Sequence, residues 1–161
     1  MTPLQDLIAK ENPTSVKHVS RTAAAAVVSL LVAELMRLPE AYWAGITTLA
    51  VMQSTPEAGR PVAVQYFAGT ALGAAVGGWA GTHFSANPFV FGACAFLIGV
   101  LFVPFRLERS AYRTASITLA IVMLVRPDSG WTIALHRFLG VSLGIAVALV
   151  VTALWPERPA R

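Results

Sequence analysis

Two arginines lie inside segments that otherwise carry almost no charge. A charge in such an apolar segment is costly, so it usually has a structural or functional role. Arg137 lies about seven residues into the last apolar segment, roughly 10 Å deep at 1.5 Å per residue. Arg113 lies in the first turn of the segment before it. A guanidinium binds carboxylates bidentately and stays protonated, and the acids Glu34, Glu57 and Asp128 all stand near helix ends. The sequence therefore predicts anion binding at Arg137 and Arg113, with snorkelling to the membrane interface or a structural ion pair as the alternatives.

Several aromatic, hydroxyl, amide and imidazole groups are costly to expose to lipid without a partner, so we expect them to face the interior. They are Trp43, Thr47, Gln53, Tyr66, Tyr112 and His136. The face of Trp43 offers a stacking surface for an aromatic acid, although a tryptophan near a helix end is also typical of the membrane interface. His136 offers a titrating group for proton coupling, but the cation beside it favours its neutral form.

No pattern in the sequence is typical of an enzyme. There is no His-Glu-x-x-His, no phosphate-binding glycine-rich loop and no pair of carboxylates within an apolar segment. The single cysteine, Cys94, excludes an intramolecular disulfide and a multi-cysteine zinc site. We therefore expect no catalysis, no metal and no cofactor.

The composition places these residues in a membrane. Of the 161 residues, 56% are hydrophobic and 12% charged, whereas soluble domains carry about 25% charged residues. Residues 61–105 form a run of 45 without Asp, Glu, Lys or Arg, longer than the roughly 20 residues that cross a bilayer. A pI near 9.8 then indicates basic residues along one membrane face rather than binding to nucleic acid.

Six apolar segments alternate with short, turn-rich connections. They are expected at Lys17–Met36, Ala41–Thr55, Glu57–Thr82, Pro88–Phe105, Ser110–Val125 and Asp128–Trp155. Each is apolar on all sides, as helices in lipid or in a deep core are. The sequence predicts an all-α integral membrane bundle of six transmembrane helices over residues 17–155, preceded by an interfacial helix over residues 1–16. A cleaved signal peptide within residues 1–36 is the competing interpretation.

The basic residues predict the orientation of this bundle. With the amino terminus inside, the outer side carries only Arg37, Arg126 and Arg137. The inner side carries Lys10, Lys17, Arg21, Arg60, Arg106, Arg109, Arg113, Arg158 and Arg161. This excess follows the positive-inside rule, so we expect a multi-pass protein of a bacterial-type inner membrane, with both termini cytoplasmic.

The sequence contains an internal repeat of about 70 residues. At an offset of 71, the turn formed by residues 56–59 (PEAG) matches residues 127–130 (PDSG), and the flanking apolar segments also match. The copies, about 17–82 and 88–155, would each hold three helices, so the second must be inverted relative to the first. Inverted repeats are typical of transporters and channels, and a matched pair of short segments, here the second and fifth, indicates the binding site. A duplication retained only for packing is the alternative.

Glycines recur every four residues in the third and sixth segments. The stripes are Gly69, Gly73, Gly77 and Gly81 in one, and Gly140, Gly144, Ala148 and Thr152 in the other. Small residues at this spacing let another backbone approach closely. Static helix packing is the first interpretation of the stripes, and a sliding surface is the second.

At these positions the chain resembles the membrane domain of the fusaric-acid-resistance and aromatic-acid-exporter superfamily. Residues 42–53 (YWAGITTLAVMQ) are similar to its YWA-x-[IL]T helix, and residues 67–73 (FAGTALG) to the helix R-x-x-G-T-x-x-G that follows. The second pattern partly recurs in residues 137–144 (RFLGVSLG), whereas in the first half Tyr66 stands where the family has its arginine. The resemblance covers about residues 17–155. Larger members join two six-helix halves, so a single half implies a homodimer.

The buried arginines and the resemblance together favour a transporter that exports organic, in particular aromatic, carboxylate anions on an ion gradient. A passive organic-anion channel and a non-transporting membrane scaffold subunit are the alternatives. The expected partners are membrane lipid, a small organic anion and a second copy of the chain.

The predicted topology is testable with reporter fusions. Fusions after Arg60, after Glu108 and at Arg161 should report the cytoplasm, because each follows an even number of predicted spans. Fusions near Asn87 and Ser129 should report the outer side. A cytoplasmic signal at Asn87 would contradict the six-span arrangement and, with it, the inverted repeat.

Overall fold

The computed structural model describes residues 16–53, 55–84, 87–104, 108–125 and 130–155, which form helices and no strand. The helices are α1 (Val16–Leu35), α2 (Tyr42–Val51), α3 (Pro56–His83), α4 (Pro88–Phe102), α5 (Arg109–Ala120) and α6 (Gly130–Leu154). A π-helical segment, Ile121–Val125, continues α5. The prediction of an all-α fold is confirmed for the described residues. The interfacial helix expected over residues 1–16 lies outside the described residues, apart from Val16, which begins α1.

Two of these helices, α1 and α6, are both long and apolar enough to cross a bilayer. α2 and α4 are apolar but shorter, at 10 and 15 residues. α3 has 28 residues and is rich in glycine and alanine. The six transmembrane spans therefore remain a prediction for the bundle as a whole.

Local sequence explains where α3 and α4 begin. The Thr55 hydroxyl accepts a hydrogen bond from the Ala58 amide at 3.3 Å, and proline follows at the first helical position. The Asn87 side chain accepts a hydrogen bond from the Phe89 amide at 2.8 Å, again with proline next. A capping side chain followed by proline is the usual start of a helix, so the turn-rich stretches indicated these boundaries correctly.

The glycine stripes pack inside the protomer: the stripe of α3 lies against α5, and the stripe of α6 lies against α2. A Cβ on Gly73 of α3 would overlap the carbonyl oxygen of Ala115 in α5. A Cβ on Gly144 of α6 would lie 2.5 Å from the carbonyl oxygen of Ala44 in α2. The same crossings include Gly69 and Gly77 on α3, and Gly140 on α6. Backbone therefore lies against backbone at both crossings, which supports the static-packing interpretation of the stripes.

Arg21 joins α1 to the carboxyl ends of α2 and α6. It is fully buried, and its Nη2 and Nη1 atoms donate hydrogen bonds to the backbone oxygens of Gln53 at 2.7 Å and Trp155 at 2.6 Å. Carbonyls at the end of a helix lack intrahelical donors and carry the negative end of the helix dipole, so a guanidinium satisfies both needs. Arg21 is therefore a structural residue.

The crossings predict a sharp contrast among glycine-to-alanine variants. Gly73→Ala and Gly144→Ala should each lower the free energy of unfolding by about 1–3 kcal/mol, because the added methyl group forces two backbones apart. Gly92→Ala on α4 is the matched control, since nothing lies within 4 Å of a Cβ at that position. Thermal denaturation in a mild detergent measures the difference. A melting temperature for Gly73→Ala equal to that of Gly92→Ala would contradict the close crossing.

Candidate anion-binding site

Four pieces of the chain meet where α2 and α6 begin. The α1–α2 connection supplies Glu40, the first turn of α2 supplies Trp43, and the last turn of α5 supplies Thr118. Arg137 comes from α6, about two turns from its start. The crossing of α6 on α2 brings them together, because a Cβ on Gly140 would lie 3.3 Å from the Cβ of Trp43.

Arg137 is the centre of this site. Its side chain is only 2% exposed, and its Nε atom donates a hydrogen bond to the Thr118 hydroxyl at 3.2 Å. Its Cζ atom lies 3.8 Å from the ring centroid of Trp43, a cation–π contact that is worth about 2 kcal/mol when desolvated. Its Nη1 atom is buried and has no hydrogen-bond partner. A buried guanidinium with an unmet donor is costly to the fold, so the site is suited to receive an acceptor that the protein itself does not provide there.

The ionisable groups close enough to act electrostatically on Arg137 are Tyr66, Glu40 and Tyr42. Glu40 is the acid in this set, and its Oε2 atom accepts a hydrogen bond from the indole Nε1 of Trp43 at 3.0 Å. The carboxylate therefore touches the edge of the indole, while the guanidinium touches its face. Tyr42 lies beside the same indole, with ring centroids 5.2 Å apart.

The α1–α2 connection holds Glu40 in place through two left-handed residues. Arg37 (φ 53°) ends α1, where the Leu38 amide bonds to the Ala33 carbonyl at 3.0 Å and the Arg37 amide to the Glu34 carbonyl at 2.8 Å. These two bonds form a Schellman motif, which normally places glycine at this position. Glu40 (φ 59°) then turns the chain into α2. Non-glycine residues in this conformation cost about 1–2 kcal/mol and occur mainly where the surroundings hold them.

Among the other residues proposed from the sequence, Tyr66 is close enough to act electrostatically on Arg137. It is half-buried in α3, against the cluster that contains Val51 of α2 and Val141 of α6. Thr47 is buried in α2 at the crossing with Gly144, one turn below Trp43. The structure therefore groups Arg137, Trp43 and Tyr66, with Thr47 at the adjoining helix crossing.

The structure does not bring the remaining proposed residues to this site. Arg113 is exposed on α5, and Tyr112 is 38% exposed there, with its ring near Gly99 of α4. Gln53 is half-buried at the opposite end of α2, where its backbone oxygen binds Arg21. His136 is half-buried beside Arg137 in sequence.

Sequence reasoning did not select Glu40 or Thr118 for the site. Glu40 stands three residues before Trp43, a spacing that places two side chains together around a helix start, and this signal was available. The internal repeat also pointed to Thr118, because it matches Thr48 of the other copy at an offset of 70 residues. Neither signal shows which helix lies opposite Arg137, which is a matter of tertiary packing.

The other features of the described residues that could bind a ligand lack a buried charge. A groove of about 410 Å³ between the end of α3 and α4 is lined by apolar and aromatic side chains, with Trp79 and Phe89 at its rim and Cys94 in its wall. No three His, Cys, Asp or Glu residues within the described ranges lie close enough together to hold a metal ion. The buried cation at Arg137 is the chemically distinctive feature.

The described residues form a helical bundle in which two helices, α1 and α6, are long and apolar enough to cross a bilayer, as in helical membrane proteins. Residues 25–151 match the family described as fusaric acid resistance protein-like. The match covers most of the 161-residue chain, so the chain belongs to this family, and its role is related to membrane transport. Comparisons with curated proteins and with solved structures gave no match.

Proposed function

We propose that this protein exports organic carboxylate anions, in particular aromatic ones, driven by an ion gradient. The observation that carries the proposal is the buried Nη1 of Arg137, which has no hydrogen-bond partner and lies under an aromatic face. A carboxylate would supply the missing acceptor in charge-assisted hydrogen bonds, which are about twice as strong as neutral ones.

The geometry suits an aromatic carboxylate better than a small inorganic anion. Thr118 occupies Nε of Arg137, so the end of the guanidinium, formed by Nη1 and Nη2, is the edge that a carboxylate would bind. The Trp43 ring lies over the guanidinium carbon, and the Tyr42 ring lies beside that of Trp43. They offer a flat substrate ring the offset or edge-to-face contacts that aromatic pairs prefer.

Buried hydroxyl groups near the middle of the helices add a polar interior. Thr70 of α3 and Ser116 of α5 have buried oxygen atoms without a hydrogen-bond partner. Unsatisfied buried hydroxyls are uncommon in proteins and are often met by water. Such hydratable groups support a route for an anion through the bundle beyond Arg137.

We further propose that six transmembrane spans form two inverted repeats. Two observations support this arrangement. The contact between Gly73 and Ala115 and the contact between Gly144 and Ala44 are the same pair shifted by 71 residues. Phe67 and Phe138, themselves 71 residues apart, contact each other with ring centroids 5.1 Å apart, as equivalent residues beside a twofold axis would. The repeat interface would then hold the anion path, in an inner membrane with both termini cytoplasmic.

The glycine stripes are used within the protomer, so the proposed homodimer must use another surface. The lipid-facing sides of α1 and α4 carry large exposed apolar residues, among them Leu31, Leu35, Phe89 and Phe96. A second copy would meet the first through faces of this kind.

The proposal predicts that Arg137 is needed for flux rather than for folding. In proteoliposomes, Arg137→Ala and Arg137→Met should lower benzoate efflux by at least about tenfold, the equivalent of one lost charge-assisted hydrogen bond. Arg137→Lys should recover only part of the activity, because an ammonium keeps the charge but loses the bidentate geometry. Saturation of the flux and its dependence on a proton gradient distinguish an exporter from a channel.

The control is the other buried arginine. Arg21→Met leaves the Gln53 and Trp155 carbonyls without their donors and should lower the free energy of unfolding by about 1–3 kcal/mol per carbonyl. Arg137→Met loses the bond to Thr118 and the cation–π contact with Trp43, but it also removes a buried charge whose Nη1 donor is unmet. Its melting temperature should therefore fall less than that of Arg21→Met. Normal benzoate flux in a folded Arg137→Ala protein would contradict the anion site. A loss of stability in Arg137→Met as large as that in Arg21→Met would instead assign Arg137 a structural role.

A further inference from the structure

Trp43 is held from two directions at once. Its indole N–H donates to Glu40 Oε2 at 3.0 Å, and its ring face lies 3.8 Å from the Arg137 guanidinium carbon. A tryptophan side chain has two rotatable angles, so one contact at its edge and another at its face fix its orientation. A backbone hydrogen bond also joins these two residues, because the Trp43 amide donates to the Glu40 carbonyl at 3.0 Å.

We propose that Glu40 is a positioning residue that makes the site selective for flat aromatic carboxylates by holding the face of Trp43 over the Arg137 guanidinium. The inference rests on the proposed anion transport at Arg137 and names the residue that sets its substrate preference. Glu40 touches no substrate in this arrangement and acts through the indole.

The placement of the Glu40 charge leaves the Nη1 donor of Arg137 unmet. A carboxylate bound directly to the end of the Arg137 guanidinium would occupy the place of the substrate. Glu40 instead bonds to the N–H edge of the indole, and Nη1 of Arg137 remains without a hydrogen-bond partner. The acid is still near enough to act electrostatically on Arg137, so it lowers the cost of burying the cation without competing for it.

The same hydrogen bond strengthens the cation–π contact. An indole whose N–H donates to a carboxylate is polarised, and its ring face becomes more negative. The face is the part of Trp43 that covers Arg137. Glu40 therefore determines both the direction of the indole and its attraction for the guanidinium.

The backbone at Glu40 supports a specific role for this residue. Its φ of 59° lies in the left-handed region, where glycine is the common choice. Glycine here would relax the backbone but would leave the indole N–H without the Oε2 acceptor. A side chain that is retained in a strained conformation and contacts the site is consistent with a functional constraint.

The test compares benzoate with cyclohexanecarboxylate, which have the same carboxylate and similar size but differ in the flatness of the ring. In proteoliposomes of the full chain, Glu40→Ala should lower the preference for benzoate by about fivefold, the scale of one cation–π or stacking contact. The change should appear in KM for benzoate more than in the maximal flux. Glu40→Gln should keep most of the preference, because its amide oxygen still accepts the indole N–H.

A double-mutant cycle tests whether Glu40 acts through Trp43. Trp43→Phe keeps an aromatic face but has no N–H, so Glu40→Ala should have no further effect on the preference in that background. Glu34→Ala is the matched control, because Glu34 is an exposed acid at the end of α1. An undiminished effect of Glu40→Ala in the Trp43→Phe background would overturn the inference, and so would an unchanged preference in Glu40→Ala itself.

A readout without transport separates this inference from the proposed function. In a Trp79→Phe, Trp131→Phe, Trp155→Phe background, Trp43 is the sole tryptophan, and its emission reports its surroundings. Glu40→Ala should shift that emission, while Glu40→Gln and Glu34→Ala should shift it little. If the unmodified protein carries no carboxylate but the emission shifts as expected, the proposed function fails and the positioning of Trp43 stands. An emission unaffected by Glu40→Ala would overturn the positioning whatever the flux.

Discussion

The close approach of α2 to α6 is the constraint on which the rest of this structure depends. Gly144 allows the α6 helix to lie directly against the Ala44 backbone, and Gly140 leaves room for the Cβ of Trp43. The indole then lies over Arg137, which stands one turn before Gly140 on α6. A side chain at either glycine would separate the helices and with them the two halves of the cation–π contact. The crossing of α2 and α6 therefore produces both the helix packing and the candidate site.

The two buried arginines show how similar residues take different roles in one bundle. Both Nη atoms of Arg21 donate to backbone carbonyls at two helix ends, so the outer edge of its guanidinium is used within the fold. Arg137 has a hydroxyl at Nε and an aromatic face over the guanidinium, but its Nη1 atom is buried without a hydrogen-bond partner. Burying a charge with incomplete partners costs stability, and residues that carry such a cost in membrane segments are often functional. The contrast identifies the second arginine as the candidate for binding.

Membership in the fusaric acid resistance protein-like family is compatible with a structural role for Arg21 and a binding role for Arg137. The family places the chain among membrane transport-related proteins, and the site supplies a chemical reason for an anionic substrate. The π-helical segment that continues α5 begins three residues after Thr118, and π-helical turns often occur at functional sites. The contact of Glu40 with the indole links a residue outside the helices to the guanidinium that would bind the proposed anion.

The sequence by itself determined the helical class of the described residues, the membrane-transport family and the starts of α3 and α4, and it selected Arg137 as a candidate residue. These follow from composition, from capping residues and from a charge in an apolar segment, which are local properties of the chain. It also indicated the glycine stripes, since a stripe is visible as spacing alone. The ends of α2 and α4 were predicted too late, at Thr55 and Phe105 instead of Val51 and Phe102, because helix ends depend on packing as well as on local preference.

Only the tertiary structure decided what surrounds Arg137. The sequence predicted anion binding at both Arg113 and Arg137, yet the first is exposed and the second is 2% exposed. The difference lies in the direction in which each helix turns its side chain. Contrary to the expectation that every segment is apolar on all sides, α5 has two distinct faces, and Arg113 lies on the exposed one. The contact between Glu40 and Trp43 is local, but its relevance to Arg137 follows only from the packing of α2 on α6, which places the indole over the guanidinium.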